Sequence, residues 1–110
     1  MKVTLIVVPP GGGEADYEVD FEMPAIPRNG DYIVLNRSDD TYKDKPGMAY
    51  FIVRRTWWSL EYDDRGGRTN VVAVEVEFAK GPVQSEPHTS SIKMYESRGK
   101  KARELENTAY

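Results

Sequence analysis

The strongest fold signal in the chain is RRTWWSLEYDDRGGRTNVVAVEVEF, residues 54–78, in which two strand-like segments flank a turn-like segment. In its second half, valine and phenylalanine alternate with alanine or glutamate, which is the period-two pattern of a half-buried strand. The pattern places Val72, Val74, Val76 and Phe78 inward and Ala73, Glu75 and Glu77 outward. The intervening DDRGGR is rich in aspartate and glycine, which favour tight turns. We therefore predict a β-hairpin here.

The same alternation extends toward the N-terminus. In ADYEVDFEM, residues 15–23, Tyr17, Val19 and Phe21 share one face, while acidic residues occupy the other. Proline- and glycine-rich links separate the segments, and no helical pattern lies between them. We predict strands at residues 3–8, 16–23, 31–36, 49–60 and 70–79. The predicted fold is mostly β: a single small antiparallel five-stranded SH3-like barrel or curved sheet.

The chain length fits one domain, because 110 residues is the usual size of a single hydrophobic core. We predict a β-barrel domain over residues 1–80 and a C-terminal extension over residues 81–110. The extension is polar and proline-rich at its start, so we expect either a short helix interrupted by Gly99 or a frayed tail. We also expect residues 101–110 to be dispensable for folding.

Three segments carry a resemblance: MPAIPRNGDYIVL, AYFIVRRTWW and VVAVEVEF. A prolyl approach, a Gly-Asp turn, a hydrophobic strand and a long strand ending in aromatics make the chain similar to short bacterial and phage proteins that look like SH3-like small β-barrels. The resemblance covers about residues 20–80. It implies an SH3-like fold and a phage or mobile-element origin, and it implies no activity.

Composition excludes several classes of protein. The sequence has no cysteine, which excludes disulfides, thiolate nucleophiles and cysteine-type zinc sites and indicates a cytoplasmic location. The apolar run Val3 to Val8 is too short for a signal peptide or a membrane span. The net charge of −3 argues against a dedicated nucleic-acid binder, whose binding face is usually strongly basic.

No catalytic, cofactor or metal signature stands out. The single histidine, His88, follows Pro87 in a segment that we interpret as a loop or tail, so nearby serines lack the support that a catalytic triad needs. PPGGGE lacks the lysine and hydroxyl residues of a phosphate loop. The acidic pairs Asp39–Asp40 and Asp63–Asp64 lack the ligand series of a cation site. We predict no enzymatic activity, no cofactor and no metal.

The two adjacent tryptophans are the best candidates for a binding surface. Because neighbouring strand residues point to opposite faces, one of Trp57 and Trp58 belongs in the core and the other on the surface. Alternatively, a bulge near Thr56 changes the phase and buries both. Tryptophan and arginine dominate binding energies at interfaces. The predicted partner-binding residues are Arg54, Arg55, Trp57, Trp58, Arg65 and Arg68.

These observations favour a non-enzymatic domain that binds a macromolecule, most directly a protein, as a phage or mobile-element accessory protein or inhibitor. A second interpretation is a nucleic-acid-binding barrel that adds the tail residues Lys100, Lys101 and Arg103 to the same arginines. A third is a structural subunit of a phage particle or homo-oligomer, in which an edge strand or the tail docks on a neighbour.

Overall fold

The computed structural model describes residues 1–36 and 47–105. Its elements in chain order are β1 (Lys2–Val8), β2 (Tyr17–Glu22), β3 (Tyr32–Asn36), β4 (Met48–Asp63), β5 (Gly66–Lys80), α1 (Glu86–Ser97) and β6 (Arg103–Glu104). The five predicted strands are confirmed. β4 and β5 run further toward their shared turn than the alternation predicted, so the hairpin between them is the longest feature of the fold.

The strands form one curled sheet in the order β2-β1-β5-β4-β3, with β6 pairing to β5 as well. β1 and β6 run parallel to β5, and all other pairs are antiparallel. A mostly β fold is therefore confirmed, but the antiparallel five-stranded SH3-like barrel is wrong: the sheet is mixed and six-stranded. The difference arises because β5 lies between β1 and β4, and the apolar β1 pairs with it in parallel as an inner strand whose Val3, Leu5 and Val7 are fully buried.

One face of the sheet carries the hydrophobic core. The inward residues of β5 are buried as predicted, and they pack with side chains from β1, β4, α1 and the residue before β6: Val3, Leu5, Val7, Phe51, Val53, Val74, Val76, Phe78, Ile92, Tyr95 and Ala102. Phe51 and Phe78 lie opposite each other in the β4–β5 register, with ring centroids 5.2 Å apart. The core thus occupies the end of the β4–β5 hairpin that is remote from its turn.

The C-terminal segment is folded onto this core. Ser85 caps α1 by accepting a bond from the backbone nitrogen of His88, and Gly99, with φ of +82°, ends the helix in the left-handed conformation that glycine allows. Ala102 is buried, and Arg103 pairs with Ala79 on β5. The short-helix alternative is confirmed. Because Ala102 is buried and β6 extends the sheet, we expect residues 101–105 to contribute to stability, contrary to the expectation that residues 101–110 are dispensable. Residues 106–110 lie outside the described part.

The far half of the β4–β5 hairpin, residues 56–71, extends beyond the sheet, and we call it the arm. Beyond Val53 and Ala73, no described strand pairs with the outer edges of the arm. The molecule is elongated, with a long axis of 52 Å and a radius of gyration of 15.8 Å, compared with about 13 Å for a compact domain of this length. Among residues 1–36 and 47–105, the fold therefore presents a two-stranded ribbon to whose edges no further strand is paired.

Candidate functional site

A β-bulge at the base of the arm sets the direction of its side chains. Val53 lies opposite Val76, but the next paired residue on β4, Arg55, lies opposite Glu75, so Arg54 is an extra residue. An inserted residue reverses the alternation of every residue beyond it. The even-numbered residues of the arm therefore continue the core face of β4, and the odd-numbered residues continue the outer face.

The core face continues along the arm as a row of exposed apolar side chains, which we call the apolar row: Trp58, Leu60 and Tyr62. They are 54%, 65% and 88% exposed. Trp58 lies opposite Val72, which is buried next to the core residue Val74. The apolar row is thus an extension of the core surface beyond the region that other described elements cover.

The opposite face of the arm is amphipathic. Trp57, which is 53% exposed, lies under the guanidinium group of Arg55, with 5.8 Å between the guanidinium carbon and the ring centroid. Further out, Arg68 pairs with Glu61 at 3.1 Å. An arginine stacked on an aromatic ring has an attraction of about 0.5–1 kcal/mol at an exposed site, which holds the two side chains together as one unit.

The prediction that one tryptophan lies in the core is wrong, and so is the alternative that a bulge buries both. The structure places Trp57 and Trp58 on opposite faces, as the period of a strand requires, but both are exposed. The bulge is present at Arg54 rather than near Thr56. Both tryptophans remain outside because the arm is a two-stranded ribbon that has no described element packed on either face.

Arg54 is committed to an ion cluster at the base of the arm. Its Nε lies 2.9 Å from Glu75, and its Nη1 lies 3.6 Å from Glu77, whose side chain is only 4% exposed. Glu77 also accepts bonds from Arg103 at 2.6 Å and from the backbone nitrogen of Gly11 at 2.8 Å. Of the predicted partner-binding arginines, Arg54 is therefore the least available to a partner.

The other two arginines lie at the tip of the arm, as predicted, where carboxylates accompany them. The Asp63 carboxylate accepts a bond from the backbone nitrogen of Arg65 at 2.8 Å, which stabilises the turn. Arg68 lies between Glu61 and Asp63. The arm as a whole carries two arginines, Arg65 and Arg68, and three carboxylates, Glu61, Asp63 and Asp64, so its positive charge is fully compensated.

Of the tail residues considered for nucleic acid, two make contacts with the rest of the domain. The Lys100 ammonium donates to the carbonyl oxygen of Gly12 at 3.0 Å, and Arg103 pairs with Glu77. Lys100 also lines a shallow depression of about 480 Å³ together with Asp16, Tyr95 and Arg98. There the Tyr95 hydroxyl donates to Asp16 at 2.6 Å, and burial together with that carboxylate raises the pKa of Tyr95 to about 12.

His88 is buried in the first turn of α1, so its assignment to a loop or tail is wrong. Its ring packs between Phe51 and Phe78, and its Nε2 lies 2.8 Å from the carbonyl oxygen of Ala79. Because a carbonyl oxygen only accepts, this shorter contact places the proton on Nε2, which donates to Ala79; the backbone nitrogen of Tyr50 lies further from the same atom, at 3.3 Å. Burial lowers the pKa of His88 from its usual 6.5, so the ring is neutral. The hydrogen bond from Nε2 of His88 to Ala79 therefore connects α1 to β5.

Within residues 1–36 and 47–105, no cluster of three or more histidine or carboxylate side chains is arranged to hold a metal ion. The acidic pair Asp39–Asp40 lies outside that part of the chain. No helix in the same part is long and apolar enough to cross a membrane.

Sequence reasoning missed Leu60 and Tyr62, although their alternation with Ser59 and Glu61 was a usable signal. The structure brings these two residues into line with Trp58 on one face of the arm. Comparison of the chain with models of protein families, with curated proteins and with solved structures found no match.

Proposed function

We propose that this chain is a non-enzymatic protein-binding domain that holds its partner with the arm. The observation that carries the proposal is the apolar row, in which Trp58, Leu60 and Tyr62 stand side by side and are each more than half exposed. Contiguous exposed apolar side chains are uncommon on proteins that act alone and are typical of binding surfaces. Tryptophan, tyrosine and arginine also supply most of the energy at the centres of protein interfaces.

The charge of the arm favours a protein partner over a nucleic acid. Affinity for a phosphate backbone depends on uncompensated positive charge; Arg68 pairs with Glu61 and Asp63, and the arm carries more carboxylates than arginines. A cytoplasmic location is part of the proposal and is supported by the absence of cysteine. A role as a phage or mobile-element accessory protein or inhibitor is also part of it and is supported by the sequence resemblance alone.

The proposal is tested by comparing capture from source cells by three forms of the chain. The arm variant is Leu60→Ser with Tyr62→Ser, which removes two side chains that are 65% and 88% exposed and should leave the core intact. The matched control is Val83→Ser with Met94→Ser, which removes two exposed apolar side chains far from the arm in sequence. We expect one set of proteins to be captured by the wild type and the control and lost by the arm variant.

Each captured protein is then purified and titrated against the wild-type chain. The only two tryptophans lie at the base of the arm, so their fluorescence should shift to shorter wavelength when the partner covers them. Affinity should depend only weakly on salt. Capture that is unchanged in the arm variant would contradict the proposal. Arm-dependent capture of nucleic acid, with affinity falling steeply as salt rises, would contradict it as well.

A further inference from the structure

The outer edge of β4 in the arm is an open strand edge. β3 pairs with β4 only as far as Ile52, and backbone bonds to the loop before β3 end at Val53. From Arg54 to Asp63, no backbone group on this side bonds to another described residue. Open edges are templates for pairing with another strand, and proteins usually block them with proline, lysine or a bulge. This stretch contains neither proline nor lysine.

The opposite edge of the arm, on β5, is less suited to pairing. Its open part is shorter and contains a second irregularity, because Ser59 lies opposite Val71 whereas Leu60 lies opposite Thr69, so Asn70 is an extra residue. A bulge disrupts the regular spacing of backbone donors and acceptors. Regular pairing over nine residues is available only along the β4 edge.

The side chains along the β4 edge are self-complementary when the strand is paired with a second copy of itself in the opposite direction. The basic residue Arg55 lies at one end and the acidic residues Glu61 and Asp63 lie at the other. Arg55 contacts Glu75 at 3.2 Å and Glu61 contacts Arg68 at 3.1 Å, but both side chains are about half exposed and can also contact a neighbouring strand. In a two-fold symmetric antiparallel pair, opposite residues must lie on the same face of the sheet. A register centred on Trp58 meets this condition and places Arg55 opposite Glu61 of the partner subunit, twice in the dimer.

The same register matches the apolar side chains. Trp58 lies opposite the partner's Trp58, and Thr56 lies opposite the partner's Leu60, so the two apolar rows meet end to end at the paired tryptophans. Aromatic and opposite-charge pairs across neighbouring strands stabilise a sheet. A register centred on Ser59 also gives an opposite-charge contact, between Arg55 and Asp63 of the partner subunit. It is less favourable because it sets Trp57, already stacked under Arg55, opposite the partner's Glu61.

We infer that a second copy of this chain occupies the β4 edge of the arm, forming a two-fold dimer whose sheets join through antiparallel β4 strands centred on Trp58. The inference rests on the proposed function, since it names the chain itself as a protein that the arm binds. The dimer carries two symmetric contacts between Arg55 and Glu61 of the partner subunit, and these contacts provide a test that is specific to self-pairing.

The test is sedimentation of the full chain from roughly 1 μM to 1 mM, a range that covers weak and moderate association. The wild type should dimerise as its concentration rises, and its tryptophan emission should shift to shorter wavelength over the same range. Arg55→Glu alone and Glu61→Arg alone each create two like-charge contacts in the dimer and should weaken it roughly tenfold or more. Glu18→Arg makes the same charge change on exposed β2 and should dimerise like the wild type.

A one-to-one mixture of Arg55→Glu and Glu61→Arg should restore dimers, because every charge contact in the mixed pair is again opposite. Circular dichroism establishes that each variant is folded; if Arg55→Glu is not, Trp58→Lys replaces it and should be monomeric. A monomeric wild type at all concentrations would overturn the inference, as would dimers that survive the single reversals or a mixture that does not associate. Arm-dependent capture of a different protein by a monomeric wild type would leave the proposed function standing.

Discussion

At the scale of single residues, Glu77 shows how the two faces of β5 acquire different environments. The alternation of β5 places Glu77 on the outer face, where a carboxylate normally meets solvent. The loop at Gly11 and the side chains of Arg54 and Arg103 cover it instead, and each of them provides a donor. Period-two patterning predicted the face of this residue but could not predict its burial, because the covering groups come from distant parts of the chain.

We predict that Glu77→Ala destabilises the fold by about 2 kcal/mol, because it removes the buried carboxylate that accepts bonds from Arg103 and from the backbone nitrogen of Gly11, while Arg54 keeps its contact with Glu75. Glu61→Ala removes an exposed partner of Arg68 and should cost less than about 1 kcal/mol. Chemical denaturation of both variants measures the difference. Equal losses of stability would contradict the role that we assign to the buried cluster.

Because His88 is buried, we predict that the stability of the fold depends on pH. Because burial lowers its pKa in the folded state, the unfolded chain binds a proton at higher pH than the folded chain does. The contribution of neutral His88 to the stability of the fold is therefore complete above the unfolded-state pKa of about 6.5. It declines as the pH falls through that value. The thermal midpoint should decrease between about pH 7 and about pH 5, before most carboxylates are protonated.

His88→Gln is the control for this decline. The glutamine amide can donate to the carbonyl oxygen of Ala79 but does not titrate, and His88 is the only histidine in the sequence. The variant should be less stable than the wild type at neutral pH. Its thermal midpoint should also change less over the same pH range. A decline as steep as that of the wild type would show that another group is responsible.

Among the elements, the positions of the strands with one buried face were predicted from the sequence. For the C-terminal segment, the sequence left two alternatives, a short helix or a frayed tail. Tyr17, Val19 and Phe21 on β2 have the alternation of half-buried strands, and the same holds for β5. In α1, the buried residues His88, Ile92 and Tyr95 follow helical spacing, which was a usable signal. Pro87 was interpreted as breaking structure, although proline is favoured in the first turn of a helix.

The pairing of the strands could not be predicted from the pattern of residues alone. Period-two alternation identifies a buried face but not a neighbouring strand, so β1 and β5 gave no sign of their parallel pairing. The apolar run of residues 3–8 predicted the strand β1 but not its place inside the sheet, between β2 and β5. Local signals therefore predicted the elements, and long-range packing determined their order.

The docking of β6 leads to a prediction about truncation. Deleting residues 101–110 removes the buried Ala102, the pairing of β6 with β5 and the contact between Arg103 and Glu77. We expect the thermal midpoint to fall by roughly 10 °C, which corresponds to about 2 kcal/mol in a domain of this size. Lys101→Ala, at an exposed position in the same segment, is the control and should leave the midpoint unchanged. An unchanged midpoint after the deletion would contradict the docking.

In the whole molecule, the residues that stabilise the fold lie away from the arm, which we propose as the binding surface. The core, α1 and the ion cluster lie at one end of the β4–β5 hairpin, while the arm at the other end holds exposed aromatic residues that the core does not need. The predicted partner-binding residues stay a prediction, and the structure shows that their side chains differ in exposure and in their contacts within the chain. Arg54 and Arg55 differ because only one of them is held in the ion cluster by Glu77, a distinction that depends on a bulge that the sequence does not mark.

The most direct test of this account is the accessibility of the two tryptophans in the free chain. Trp57→Phe and Trp58→Phe each leave one tryptophan, and both variants are studied at a concentration below that at which the chain associates. We expect both to emit like tryptophan in water and to be quenched by acrylamide to a similar extent, because their exposed fractions are 53% and 54%. If one tryptophan emits at short wavelength and resists quenching, the arm is packed against the domain and the account is wrong.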